Sequence, residues 1–176
     1  MTPTIHRTRR RLVHLQAPAH LEALGRDGFE GYASLFGVAD SSGDVVQPGA
    51  FRQSLKLRGP RRVRMLYQHF AHEPIGVWDA IAEDSTGLYV KGRVTDIERG
   101  REVLALVRDG ALDGLSIGFR TKRARREGGH RLLLEIELWE ISVVTFPLLS
   151  GSRITGVGMK NAVAAEMRRA AEVLRT

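Results

Sequence analysis

Leu132-Leu133-Leu134-Glu135-Ile136-Glu137-Leu138-Trp139-Glu140-Ile141-Ser142-Val143-Val144-Thr145-Phe146 decides how the chain is read. Fifteen residues of this character predict one long β-strand. Its even-numbered positions place Ile136, Leu138, Ser142, Val144 and Phe146 on the same face as Glu140, while Glu135 and Glu137 point the other way toward solvent. A carboxylate among apolar neighbours costs several kcal/mol unless it is paired or hydrogen-bonded, by order of magnitude. Glu140 therefore needs a buried partner, or a bulge must turn it outward.

Working outward, Arg126-Glu127-Gly128-Gly129-His130 is the tip of a hairpin whose other arm is a strand over 112–121. Strands are also expected over 29–38, 63–69, 75–82 and 88–94, with turns at 40–44 and 84–87. Pro48 suits a first helical position ahead of Phe51 and Leu55, and Gly59-Pro60 ends that short helix. Thr95 and Glu98 read as a capping box for a second helix carrying Ile97, Val103, Leu104 and Val107, closed by Gly110. Strands outnumber helices and most are joined by short turns. The fold class is mainly β with peripheral helices, an antiparallel sheet closed or nearly closed on itself.

The flanks differ from this centre. Residues 1–26 form a basic arm with Arg7, Arg9, Arg10 and Arg11, residues 27–156 the folded domain, and 157–176 an amphipathic helix. In that helix Met159, Val163, Met167, Ala170 and Leu174 recur at helical spacing, after a glycine-rich joint over 151–158 that reads as flexible or cleavable.

At 176 residues the chain builds one sizeable core. It has no cysteine, which excludes disulfides, thiolate-held zinc and a thiol nucleophile. The arginines break any apolar run near the start, and no run reaches the ~20 residues a membrane span needs. A cytoplasmic location with no membrane partner is expected. The net charge of +7 gathers in the arm, in Arg52 to Arg64 and in Arg120 to Arg131. Such clusters are either solvated surface or a face for an acidic segment or nucleic acid.

Gly114-Leu115-Ser116-Ile117-Gly118 matches the glycine–serine–glycine pattern of an α/β-hydrolase elbow. That fold is rejected because the serine is followed by Phe119-Arg120-Thr121-Lys122-Arg123 rather than an apolar helix, and the βαβ alternation is missing. Ser116 itself stays open as a nucleophile or as a strand serine between packing glycines. His69, ending the 63–69 strand and sharing a face with Val63, Met65 and Tyr67, is either a hydrogen-bonded core histidine or a general base. His69 and His72 lack a convincing third ligand, so neither a metal nor any other cofactor is expected.

Four segments occur together in a recognisable order. They are Gly43-Asp44-Val45-Val46-Gln47-Pro48-Gly49-Ala50-Phe51; Leu66-Tyr67-Gln68-His69 with Pro74-Ile75-Gly76; Leu115-Ser116-Ile117-Gly118-Phe119; and Leu138-Trp139-Glu140-Ile141-Ser142-Val143-Val144-Thr145-Phe146-Pro147. Together, over roughly 28–155, they resemble the caudovirus prohead protease family, which also occurs in gene transfer agents. The resemblance implies a compact β-barrel like that of the herpesvirus assemblins and a serine endopeptidase. It implies His69 as base, Ser116 as nucleophile and Glu140 as third member. Phe70 departs from the polar or acidic residue expected after the histidine. The implied work is cutting scaffold or major capsid protein amino-terminal segments inside the immature capsid, and the protease itself, with self-association as a further expectation. The rival expectation is a non-catalytic basic scaffold or nucleic-acid-binding barrel of the same particle.

Overall fold

A computed structural model of the chain describes residues 24–158. The basic arm up to residue 23 and the expected tail helix beyond Gly158 lie outside the described residues. Eight strands, β1 (Gly28–Leu35), β2 (Asp44–Val46), β3 (Arg64–Tyr67), β4 (Pro74–Glu83), β5 (Gly87–Val94), β6 (Gly114–Glu127), β7 (His130–Val144) and β8 (Ile154–Val157), join one sheet. Two helices, α1 (Arg52–Arg58) and α2 (Glu98–Arg108), lie at its periphery, with a 3₁₀ turn at Pro60–Arg62.

The sheet runs β2-β7-β3-β4-β5-β1-β8, with β6 on the other edge of β7. Hydrogen bonds from Leu115 N to Ser152 O and from Ile154 N to Asp113 O tie the start of β6 to the approach to β8, so the sheet curls round on itself. Most pairs are antiparallel, as the short turns imply. The exceptions are β2 and β3, which both run parallel to β7 and share one of its edges.

That sharing leaves a gap in the ladder of β7 between its partners. Ile136 N there donates to Ala50 O at 3.0 Å and Leu138 N to the Ser54 hydroxyl at 2.9 Å. The segment leading into α1 and α1 itself thus replace the missing strand, because a buried backbone amide cannot be left unpaired. The helix starts at Arg52, not at Pro48. Gly49 has φ +89°, a left-handed conformation that no helix can contain, and it delays the first turn.

The core gathers around Phe29, Met65, Trp78, Leu115, Leu138, Ile141 and Val143, all buried. Phe29 and Trp78 meet edge-on with ring centroids 5.6 Å apart, an arrangement worth about 0.5–1.5 kcal/mol beyond the area it buries. In α2, Val103, Leu104 and Val107 face this core while Ile97 is exposed. Ile97 is itself the N-cap and no side chain caps the helix, so the Thr95–Glu98 box does not form. Thr95 instead donates its backbone amide to Ile75 O, where β4 starts beside the end of β5.

The hairpin of β6 and β7 turns at Gly128 and Gly129, with φ of 57° and 85°. Both central residues left-handed is the type I′ geometry that matches strand twist, and glycine adopts it without strain. The arms extend further than the sequence implied, because β6 continues to Glu127. At the other end β7 stops at Val144, and Phe146 lies beyond it, exposed. The joint over 151–158 is also different from its expectation. It holds β8, paired with β1 through Phe29↔Val157 and Glu30↔Gly156, and is part of the sheet.

Candidate active site

The central strand β7 carries Glu140 and Ser142, with β3 on one side and β6 on the other. In register, Ser142 lies opposite Leu66 of β3 and opposite Ser116 of β6. Three sequence-distant segments therefore converge at a short stretch of one strand.

Glu140 reaches this face through a bulge. Gly118 pairs with Glu140, yet Phe119 pairs with Leu138, so Trp139 is an extra residue on β7. The bulge inverts the alternation. Ile136 and Leu138 before it face the core, as do Ile141 and Val143 after it, while Trp139 is exposed and Glu140 turns to the opposite face with Ser142. The shared face expected for Glu140 with Ile136 and Leu138 is thus broken. Of the two ways out for a carboxylate in an apolar stretch, the molecule uses both, a bulge and a partner.

The partner is His69. Its Nδ1 lies 2.7 Å from Glu140 Oε1. A carboxylate only accepts at neutral pH, so Nδ1 carries a proton, and in the neutral ring Nε2 keeps the lone pair. His69 does not end the strand as its alternation implied. β3 stops at Tyr67, and Gln68 and His69 have φ of 52° and 61°. For L-residues the left-handed region costs roughly 1–2 kcal/mol each, and such strain persists only where surrounding contacts over-determine it. Here they do. Gln68 N donates to Val143 O at 3.0 Å, and the Gln68 amide donates to Thr145 Oγ1 at 2.7 Å. His69 N donates to the Ser142 hydroxyl at 3.1 Å. This turn swings the imidazole over β7, with its side chain 43% exposed.

Hydrogen bonding to Glu140 holds the His69 pKa above its ordinary 6.5, against a smaller opposing effect of burial. Glu140 is fixed at its second oxygen as well, where Oε2 accepts from the Ser142 hydroxyl at 2.6 Å. The space for the carboxylate comes from Gly118, where a Cβ would stand 2.0 Å from Glu140 Oε1.

Ser116 is the third residue of β6, not at a strand-to-helix elbow, and is buried. Directly paired residues on antiparallel strands have Cβ atoms about 4.5–5.5 Å apart on one face, so its hydroxyl stands beside Ser142 across the pair. Among the described residues the His69 ring bonds to Glu140, and no hydrogen bond joins it to the Ser116 hydroxyl. A cavity runs past Ser116, lined also by Ser34, Asp40, Phe119, Leu148 and Ser152. No group of three or more His, Asp or Glu able to hold a metal occurs among the described residues. No helix among them is long and apolar enough to cross a membrane.

Of the site residues read from sequence, His69 and Glu140 are in direct contact and Ser116 is on the neighbouring strand. Ser142, Gly118 and the Gln68–Thr145 pair were missed. Ser142 had a signal, its place two residues from Glu140 on the same strand face. Gly118 had none, since a glycine announces neither what fills the space beside it nor from which strand.

The sequence and the fold both have relatives among known proteins. The chain is 41% identical over 129 residues to the prohead protease of Enterobacteria phage HK97, covering 70% of this chain and 57% of that protein, so it spans little more than half of that relative's length. The bacteriophage T4 capsid assembly protease gp21 shares the fold with a TM-score of 0.58 at 14% identity, over 68% of this chain and 82% of that one. The KSHV protease, solved in complex with a hexapeptide phosphonate inhibitor, does so with a TM-score of 0.53 at 12% identity, over 84% and 74% of the respective chains. The β-rich barrel with peripheral helices is therefore the assemblin type of fold. A family model described as "Caudovirus prohead serine protease" matches residues 15–169, and the chain belongs to that family.

Proposed function

We propose that the chain is a serine endopeptidase of prohead maturation in which Ser116 is the nucleophile, His69 the general base and Glu140 the residue that orients it. The observation that carries this reading is the 2.7 Å contact of His69 Nδ1 with Glu140, which in the neutral ring turns the Nε2 lone pair outward from a ring held over the strand next to Ser116. The Ser116 hydroxyl attacks the scissile carbonyl as its proton passes to Nε2. The imidazolium then gives that proton to the leaving amine, and water repeats the cycle to release the acyl group. Glu140 keeps the required tautomer and stabilises the cation. Ser116 and the ring close up on substrate binding, since catalytic hydrogen bonds are often long without substrate.

The substrate class follows from the family and the charge. Amino-terminal segments of the major capsid protein or scaffold, and the protease itself, are cut inside the immature capsid in the bacterial cytoplasm. The excess of basic residues, net +7, favours acidic segments. A non-catalytic basic scaffold or nucleic-acid-binding barrel would account for the charge but leave the His69–Glu140 pair without a use.

Incubation of the full chain with purified coat protein tests the reading, with cleavage followed by mass spectrometry. Wild type shortens the coat protein, whereas Ser116→Ala and His69→Ala leave it intact while remaining folded. Cleavage at the wild-type rate by either variant, or none by wild type, overturns it.

A further inference from the structure

We propose that Ser142 is a positioning residue, locking the Glu140 carboxylate and the His69 turn into one ring of hydrogen bonds; this rests on the reading of His69 as base. The ring runs from His69 N to Ser142 Oγ (3.1 Å), from Ser142 Oγ to Glu140 Oε2 (2.6 Å), and from Glu140 Oε1 to His69 Nδ1 (2.7 Å). It closes through the backbone and side chain of His69 itself.

The hydroxyl is suited to this place by chemistry. A serine oxygen both accepts and donates, so Ser142 takes the amide proton of a left-handed residue and gives its own to a carboxylate. Ser142 is fully buried, and losing its hydroxyl removes a hydrogen bond from each of its two partners. Without it Glu140 is held only by the mobile imidazole it is meant to orient, and the His69 amide loses its acceptor. Alanine leaves both defects, whereas threonine keeps the hydroxyl. The roles of Ser116 and Ser142 are separate, although the two residues face each other across β6 and β7. Ser116 presents its oxygen to the substrate, and Ser142 spends both hydrogen-bonding capacities inside the protein.

The test reads the His69 ring directly, so it does not depend on Ser116 being the nucleophile. ¹⁵N NMR of the full chain in a Ser116→Ala background gives the tautomer of the neutral ring. Without Ser142→Ala the ring is Nδ1–H. With it, the ring shifts toward the Nε2–H form that free imidazole side chains prefer, and its pKa falls toward 6.5. In the Ser116-containing protein, Ser142→Ala lowers kcat roughly tenfold or more with KM little changed, as expected when one charge-assisted hydrogen bond is lost from the catalytic apparatus. Ser142→Thr restores both the tautomer and the rate. Should Ser142→Ala not fold, Ser142→Cys, similar in size and a weak donor, is read in the same way. An unchanged tautomer in Ser142→Ala, or in Ser142→Cys where the alanine variant does not fold, overturns the proposal. A shifted tautomer in a protein that never cleaves coat protein upholds Ser142 and refutes the protease reading instead.

Discussion

Gly118→Ala adds a single methyl group in the tightest spot of the site. The new Cβ would lie 2.0 Å from Glu140 Oε1, 2.7 Å from Cδ and 2.8 Å from Cγ. Ordinary contact begins near 3.4 Å, so the carboxylate oxygen must retreat by about 1.4 Å (3.4 − 2.0). The backbone does not resist the substitution, because Gly118 is in a conformation open to any residue. A free glutamate would absorb the shift by rotating. Glu140 cannot, because its oxygens are tied to His69 at 2.7 Å and to Ser142 at 2.6 Å. A retreat of that size breaks at least the first of these bonds. Hydrogen bonds to charged groups contribute about 1.5–3 kcal/mol, which converts to a loss of roughly 10- to 150-fold in kcat/KM. Coat-protein cleavage followed by quantitative mass spectrometry measures this, beside the midpoint of thermal unfolding. The control is a double-mutant cycle with Glu140→Ala, which removes the clash. On that background Gly118→Ala should cost nothing further, a strong non-additivity. Equal activity of Gly118→Ala and wild type, or losses that simply add, would refute the idea that this glycine exists to seat the carboxylate.

Further expectations concern protonation and charge. His69 must be unprotonated to act as base, so kcat/KM rises with pH through a pKa above 6.5; Glu140→Gln should lower the plateau and move that rise to lower pH. The same pair contributes stability that is fully present below pH 6.5 and is lost as pH rises through the raised value, so Glu140→Gln should cost more in unfolding midpoint at pH 5.5 than at pH 9. Glu137, held down to about 2 by Lys122, Arg58 and Arg120, behaves in the opposite sense. Its contribution is present above pH 4.5 and is lost as pH falls toward 2, so the gap in acid unfolding between wild type and Glu137→Gln should close across that window. Arg123 and Arg125 pair with Glu135 and Glu127, whereas among the described residues no ion pair forms at Arg61, Arg62 or Arg64. Neutralising the latter three should raise KM for an acidic substrate and flatten its salt dependence more than neutralising Arg123 and Arg125; equal salt curves would contradict this.

Sequence patterns made the strands legible where turn chemistry framed them. Asp40 accepts from the amides of Ser42 and Asp44, and Asp84 from those of Thr86 and Gly87, so both turns lie where short polar residues placed them. Pairing partners were less legible. Neither the parallel pairing of β3 with β7 nor the substitution of Ala50 and Ser54 for a missing strand leaves a local mark. The bulge at Trp139 was hidden for a related reason. Leu138-Trp139-Glu140-Ile141 reads as unbroken alternation, and only the three-dimensional demand that Leu138 and Ile141 both be buried reveals the extra residue. His69 and Glu140 stood out because their residue types are costly to bury. Ser142 did not, since a serine in a strand is ordinary until its neighbours are known.

The parallel pairing of β3 with β7 also decides when the His69–Glu140 pair can form. His69 and Glu140 meet across 71 residues of chain, and the antiparallel hairpin of β6 and β7 forms locally without bringing them together. Contacts of long sequence separation carry the larger loop-closure entropy and form late. During synthesis β6 and β7 can zip up as soon as both emerge, yet the His69 ring is not directed until β3 docks in register beside Ser142. Chain topology thus acts as a timer: under the roles proposed for His69, Ser116 and Glu140, a half-folded copy would hold all three side chains without an oriented base until β3 closes against β7.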